Sequence, residues 1–238
     1  MVKMKDMGDI RGGKKTGCNN FFVISKKIID KYGISEEYRK PVISGDIHEG
    51  FLEDRNATKY LLNVNESKGQ LEKTEKGRRV LKYIEKGENT KISPKIGKDR
   101  TTRRISELSS VSNRSKWYSL DLSNPSSIFL SQIIDKRVKI YENNGMFYSL
   151  DVFGNFSPKN KTYTHAFLAY VSSSWFSLHM EKNGHSMGGG ALKFQITDYK
   201  NAPVPDFTKL SNVDIKKLNQ AWKNYRDNFD IKKLDNVV

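Results

Sequence analysis

A chain of 238 residues that is 36% hydrophobic and 11% aromatic has enough apolar material for a packed core, which excludes a wholly disordered polyelectrolyte. Its 42 lysines and arginines against 27 acids give a formal charge of +15, spread along the chain, so either a folded basic face meets a polyanion or the charge serves solubility alone. The single cysteine, Cys18, excludes an internal disulfide and a cysteine-based zinc site, and the longest apolar run, Ala166 to Val171, falls far short of the roughly 20 residues of a membrane span, so a cytoplasmic protein with no membrane partner is expected.

Residues 1–25 read as a strand, a glycine-rich loop and a second strand at Phe21-Phe22-Val23-Ile24. The loop Gly12-Gly13-Lys14-Lys15-Thr16-Gly17-Cys18-Asn19-Asn20 holds three glycines, two lysines and two asparagines in nine positions. Gly12, Gly13 and Gly17 let the backbone approach a partner closely, and the lysines suit a phosphate backbone. Ser25 is placed to cap a short helix through Tyr32, which Gly33 ends. Pro41-Val42-Ile43 opens another extended piece, and a helix is predicted around 71–86. Lys98 to Arg104 carries four positive charges in seven residues and reads as a mobile basic loop. Arg103-Arg104 and then Arg114-Ser115-Lys116-Trp117-Tyr118 interleave cations with rings, the mixture that nucleic-acid surfaces use. Trp117 and Tyr118 read equally well as core aromatics at a strand start.

The second half is more apolar. Strands are predicted at Gln132–Ile134, Arg137–Tyr141 and Met146–Leu150, the last two joined by an Asn143-Asn144-Gly145 hairpin turn. Thr164 to Met180 reads as one buried helix; Gly188, Gly189 and Gly190 break the pattern before a strand at 191–196. Ser211 to Asp214 resembles a capping box with aspartate in place of glutamate. Ile215, Leu218, Trp222, Tyr225 and Phe229 then recur at spacings of 3, 4, 3 and 4, an apolar helical stripe with lysines opposite. The expected fold class is α+β, with mixed or antiparallel sheets, packed helices and this C-terminal amphipathic helix.

Catalytic chemistry is hard to find. None of the four histidines has metal-ligand spacing; His179 and His185 flank a glycine turn and could touch phosphate. No nucleophile elbow, Walker loop or kinase set occurs, and Gly188-Gly189-Gly190 lacks the lysine-serine ending of a phosphate loop. Two rivals to a DNA-binding reading remain. One is a metal-dependent nuclease using Asp46, Asp54, Glu66 and Lys68; the other is a protein-interaction module docking through the stripe that includes Trp222. RNA is an alternative polyanion.

Gly12 through Phe22, continuing through Tyr32-Gly33-Ile34 to Lys40-Pro41-Val42-Ile43, resembles the opening of a target-recognition domain of the TaqI-like, gamma-class adenine-N6 DNA methyltransferases, which include fused type II restriction-modification enzymes. Lys116-Trp117-Tyr118-Ser119-Leu120 is similar to that family's central segment. Leu168 to Ser174 is similar to its "LNSS" helix, with Ser172 where asparagine is usual. Gly188 to Lys193, Asp198-Tyr199 and Pro203-Val204-Pro205 are similar to its closing segment. The resemblance runs in order along nearly the whole chain, so residues 1–238 are expected to form one DNA target-recognition domain, with a basic recognition part at 1–120 and a packing part at 121–238.

The resemblance implies double-stranded DNA and a methyltransferase catalytic domain as partners. Lys14, Lys15, Lys98, Arg100 and Lys116 are expected on phosphates. Asn19, Arg103, Arg104 and Arg114 are expected on bases, with Thr16, Trp117 and Tyr118 in the same interface. The family's Phe-x-Gly-x-Gly-like and Asn-Pro-Pro-Tyr motifs are absent; the only Asn-Pro here is Asn124-Pro125-Ser126-Ser127. No cofactor is therefore expected on this chain, S-adenosylmethionine belonging to the catalytic domain.

Overall fold

The computed structural model describes residues 1–43, 50–93, 101–134 and 136–238, and of Asp54 the backbone alone. In chain order the main elements are β1 (Gly8–Gly12), β2 (Val23–Ser25), α1 (Lys26–Tyr32), β3 (Arg39–Val42), β4 (Gly50–Leu52) and β5 (Lys59–Leu62). Then come α2 (Glu75–Asn89), β6 (Ile128–Ser131), β7 (Ile140–Asn143) and β8 (Phe153–Pro158), followed by α3 (Thr164–Ser172), α4 (Ser174–Asn183) and α5 (Asn212–Asn228). The class is α+β, as expected.

The larger sheet has the order β1-β8-β6-β7-β4, antiparallel except where β4 joins β7 in parallel. Its central strand β6 is buried on both faces, so it reads as a continuous apolar run rather than an alternation. Ile128 and Leu130 face a core that also takes in Ile140, Phe156, Phe167 and Trp222. Phe129 faces the opposite way, into a smaller cluster with Tyr141, Phe147 and Phe153. Helix α3 is buried nearly all round, and Phe167 stacks on Phe156 with ring centroids 4.2 Å apart. Helix α5 lays Ile215, Leu218, Trp222 and Tyr225 into the same core, with Ser211 capping its first turn through the Asp214 amide. The stripe is thus occupied inside the chain and is no free docking face. Phe229, the expected last residue of the stripe, ends the helix in the left-handed region at φ 53°.

A second core gathers residues between Cys18 and Leu120 around the smaller antiparallel sheet β2-β5-β3. Helix α1 ends at Gly33 with φ 61°, as its sequence predicts. Helix α2 starts later than predicted because Thr74 caps it, its hydroxyl accepting from the Gly77 amide at 2.9 Å. Tyr83 on α2 stacks on Phe21 at 5.0 Å and donates its hydroxyl to the Phe21 carbonyl at 2.9 Å. Burial pushes the Tyr83 phenol well above its ordinary value.

Four expectations shift, each for a local reason. Asn19–Phe22 forms a helical turn, and the strand begins only at Val23. The predicted helix Thr164–Met180 divides at Ser173, whose extended backbone and hydroxyl cap α4. Of the strand at 191–196 only Leu192–Lys193 remains, because Gln195 and Asp198 open a helical turn at Ile196–Asn201. The predicted hairpin of 137–141 with 146–150 is absent: β7 pairs with β6 and β4 instead. The Asn143 amide donates to the Ser126 and Phe147 carbonyls at 2.8 and 2.9 Å and folds 144–147 into a turn. The following residues stitch the two sheets together. The Tyr148 amide donates to the Pro41 carbonyl at 2.8 Å, and the Lys14 amide to the Ser149 carbonyl at 2.8 Å.

Glu142, at the end of β7, is a buried carboxylate that accepts from His165 at 2.8 Å and from the Trp222 indole at 2.8 Å, with Arg226 3.7 Å away. Burial alone would raise its pKa, but those hydrogen bonds outweigh it and hold the group below its ordinary value. A depressed folded-state pKa gives stability that is present above the ordinary value of 4.5 and is lost as pH falls through the folded value. Urea unfolding of the wild type and Glu142→Gln should therefore differ at pH 7, and the gap should narrow below about pH 4.5. A gap independent of pH would remove the charge from this account.

Candidate nucleic-acid interface

The glycine-rich loop leaves β1 at the sheet edge and runs against the 148–150 seam. The Gly13 amide donates to the Phe153 carbonyl at 3.0 Å, and a Cβ at Gly13 would sit 2.0 Å from the Leu150 carbonyl oxygen. Gly17 has φ 78°, which glycine alone adopts freely, and its carbonyl accepts from Ser110 Oγ at 2.8 Å. Between them Thr16 is buried, accepting from the Cys18 amide at 3.2 Å and donating to Asn19 Oδ1. The adjoining Cys18 thiol is pushed up by burial. Arg114 ties the loop down. Its guanidinium donates to the Thr16 carbonyl at 2.7 Å and to the Ser119 and Ser110 carbonyls at 3.3 Å, and lies over the Phe22 ring at 5.1 Å. Lys14 Nζ donates to the Asp121 carbonyl. Burial lowers its pKa, with Asp121 opposing and Arg114 adding to the effect.

Two hollows adjoin this loop, and a third shares lining residues with one of them. The first, about 430 Å³, has Arg39, Lys40 and Tyr60 on one wall and Pro125, Met146 and Tyr148 on the other. The second, about 210 Å³, shares Pro125 and Tyr148 with it and adds Arg11, Lys14, Lys15 and Asn124. The third, about 290 Å³, shares Lys14, Lys15 and Asp121 with the second and reaches Arg114 and Ser115. Among the described residues, six cations (Arg11, Lys14, Lys15, Arg39, Lys40 and Arg114) therefore line these three neighbouring hollows, beside two acids, Glu36 and Asp121. Glu36 lies 3.5 Å from Arg39, whose guanidinium also covers the Tyr60 ring at 5.0 Å. A concave strip with this excess of positive charge concentrates a polyanion and tracks its backbone.

The sequence profile of the family described as type II methyltransferase M.Eco57I, C-terminal domain, matches residues 1–238. The chain belongs to this family. The M.Eco57I-type domain also resembles two solved enzymes in fold. The type IIG restriction endonuclease BpuSI aligns at 14% identity with a TM-score of 0.67, covering 93% of this chain and 26% of that one. The type IIL restriction-modification enzyme MmeI, solved in complex with DNA, aligns at 14% identity with a TM-score of 0.62, covering 100% of this chain and 33% of that one. The domain thus spans about a quarter to a third of either enzyme. No curated protein matches the sequence. The expected kinship with methyltransferase C-terminal domains stands.

The remaining sequence-predicted residues of this M.Eco57I-type domain are scattered. Lys98 and Arg100 lie outside the described residues. Arg103-Arg104 pairs as a short strand with Lys91-Ile92 and lines none of the three hollows. Trp117 and Tyr118 are core groups. The Trp117 indole donates to Glu88 at 2.9 Å and packs on Phe21 at 4.7 Å, and the Tyr118 hydroxyl donates to the Glu66 carbonyl at 3.0 Å. Lys116 is half-buried, one residue beyond the third hollow. Asn19 lines a separate, more apolar hollow with Val23, Ile28 and Phe153. Gly188, Gly189 and Gly190 form the exposed turn joining His185–Ser186 to Leu192–Lys193.

His185 lies 3.4 Å from Asp198, and His165 belongs to the buried Glu142 network. Of the nuclease candidates, Lys68 pairs with Glu88 at 2.7 Å and the Glu66 carboxylate accepts from the Asn65 amide at 3.0 Å. Asp46 and the Asp54 side chain lie outside the described residues. Sequence reasoning missed Arg11, Arg39, Lys40 and Asn124 as groove residues. Lys40-Pro41 and Asn124-Pro125 each stood out as a phrase, and only the fold brings them to one place.

No helix among the described residues is long and apolar enough to cross a membrane.

Proposed function

We propose that this chain grips double-helical DNA along the groove from Arg39 to Arg114 and serves as the target-recognition part of a type II adenine-N6 methyltransferase in a restriction-modification system. The observation that carries the reading is the gathering of six cations around three hollows that share lining residues, beside two acids among the described residues. Lys15 and Lys40 hold phosphates. Arg114 and Lys14 fix the loop that presents Lys15, so their loss acts through loop geometry as well as charge. The cationic walls repel a sulfonium, so S-adenosylmethionine belongs in this proposal to a catalytic domain that this chain accompanies. That domain takes up the flipped adenine and performs the transfer.

Fluorescence anisotropy of a labelled duplex against salt tests the reading. With about six phosphates engaged, log K should fall with log salt at a slope near −5. Lys15→Ala should weaken binding about equally for all sequences and make that slope shallower by about 1. A salt-independent titration would overturn the proposal.

A further inference from the structure

We propose that Asn124 reads a base edge in the floor of the groove and that Arg11 positions it for that task. The inference rests on the DNA-binding reading and assigns the groove its base-reading residue. Asn124 is held from both sides. Arg11 donates to its backbone carbonyl at 2.6 Å, and two residues on, the Ser126 carbonyl accepts from the buried Asn143 amide at 2.8 Å. Between them Pro125 has a fixed φ, so the turn is pre-organised. The Asn124 side chain is exposed, lines the second hollow, and has no hydrogen bond among the described residues.

Charge placement says what should meet that side chain. Pro125 and Tyr148 form the wall common to the first two hollows, with Arg39 and Lys40 in one, and Arg11, Lys14 and Lys15 in the other. A neutral amide in the hollow of Arg11, Lys14 and Lys15, one residue from the wall that this hollow shares with that of Arg39 and Lys40, suits a duplex, whose phosphates meet cations while its base edges meet neutral polar groups. An amide offers one donor and one acceptor side by side, the complement of the adenine N7 and N6 edge. Two neighbouring groups are engaged elsewhere: the Arg114 guanidinium holds three carbonyls, and Asn155 Oδ1 accepts from Ser149 Oγ within the wall.

The test is enrichment of bound duplexes from a randomised library by the wild-type protein and its variants. The wild type should require adenine at one position, and Asn124→Ala should relax that position roughly ten- to a hundred-fold. Binding to unrelated DNA and its salt slope should stay near wild type. Asn124→Asp should shift the same position toward cytosine, because a carboxylate accepts from the N4 amine. Arg11→Ala should relax that position and Arg11→Lys partly restore it. If Asn124→Ala fails to fold, the Asp variant decides. An unchanged preference, or a loss uniform over all sequences, overturns the role of Asn124 and leaves the groove reading standing. Absence of any DNA binding by the wild type overturns both.

Discussion

Truncating Trp222 to alanine is expected to cost about 3–5 kcal/mol, the range for removing a large ring from a packed core. Trp222 is fully buried at 0% exposure, at the junction of α5, α3 and the central sheet, and its indole donates to Glu142 at 2.8 Å. Alanine leaves a void and takes one donor from a buried carboxylate, and each loss is costly by itself. Domains of 150–250 residues lose about 2–4 °C of Tm per kcal/mol, so thermal unfolding should shift down by about 6–20 °C. Trp222→Phe separates the two contributions. It keeps most of the ring and loses only the donor, so it should cost about 1–3 kcal/mol. Equal losses for the two variants would mean that volume plays no part.

Gly13→Ala should be nearly as damaging, through backbone crowding. The added Cβ would lie 2.0 Å from the Leu150 carbonyl oxygen and 2.5 Å from Ser149 Oγ, and the carbonyl belongs to the seam between the two sheets. Relief requires parting the loop from the seam, which puts the Gly13 and Lys14 amide bonds to Phe153 and Ser149 at risk. Overpacking costs about 1–3 kcal/mol and each of the two hydrogen bonds about 0.5–1.5, so a loss of about 2–6 kcal/mol is expected, with weakened DNA binding beside it. Gly12→Ala is the control. Its Cβ would meet only Ile196 Cγ1 at 3.7 Å, an ordinary contact, and its stability should stay within about 0.5 kcal/mol of wild type. Urea midpoints at unchanged slope measure both. Comparable losses at Gly12 and Gly13 would refute the crowding argument.

The contrast between these neighbouring glycines shows where the sequence stops being informative. Local chemistry was legible: the Gly33 cap, the Ser211 cap and the Ile215-to-Tyr225 stripe each follow from spacing within a few residues. Strand partners were not. Asn143-Asn144-Gly145 carries a strong hairpin signal, but β6 and β4 take up β7, and the Asn143 amide closes a tight turn instead. The candidate groove was half legible for the same reason. Lys14 and Lys15 stood out beside glycines, whereas Arg39 and Arg11 come from strands of different sheets and meet only once both are folded. Arg114 and Trp117 show how local sequence leaves a side chain's surroundings open: Arg114 lines the third hollow while lying over the Phe22 ring, and Trp117 packs on Phe21 and donates to Glu88.

The 148–150 seam has a mechanical consequence. Arg39 and Lys40 hang from the smaller sheet, Arg11 and Lys14 from or beside the larger one, and the two sheets are joined through Tyr148, Ser149 and Leu150. The spacing between the rows of charge is therefore set by how Tyr148, Ser149 and Leu150 hold one sheet against the other.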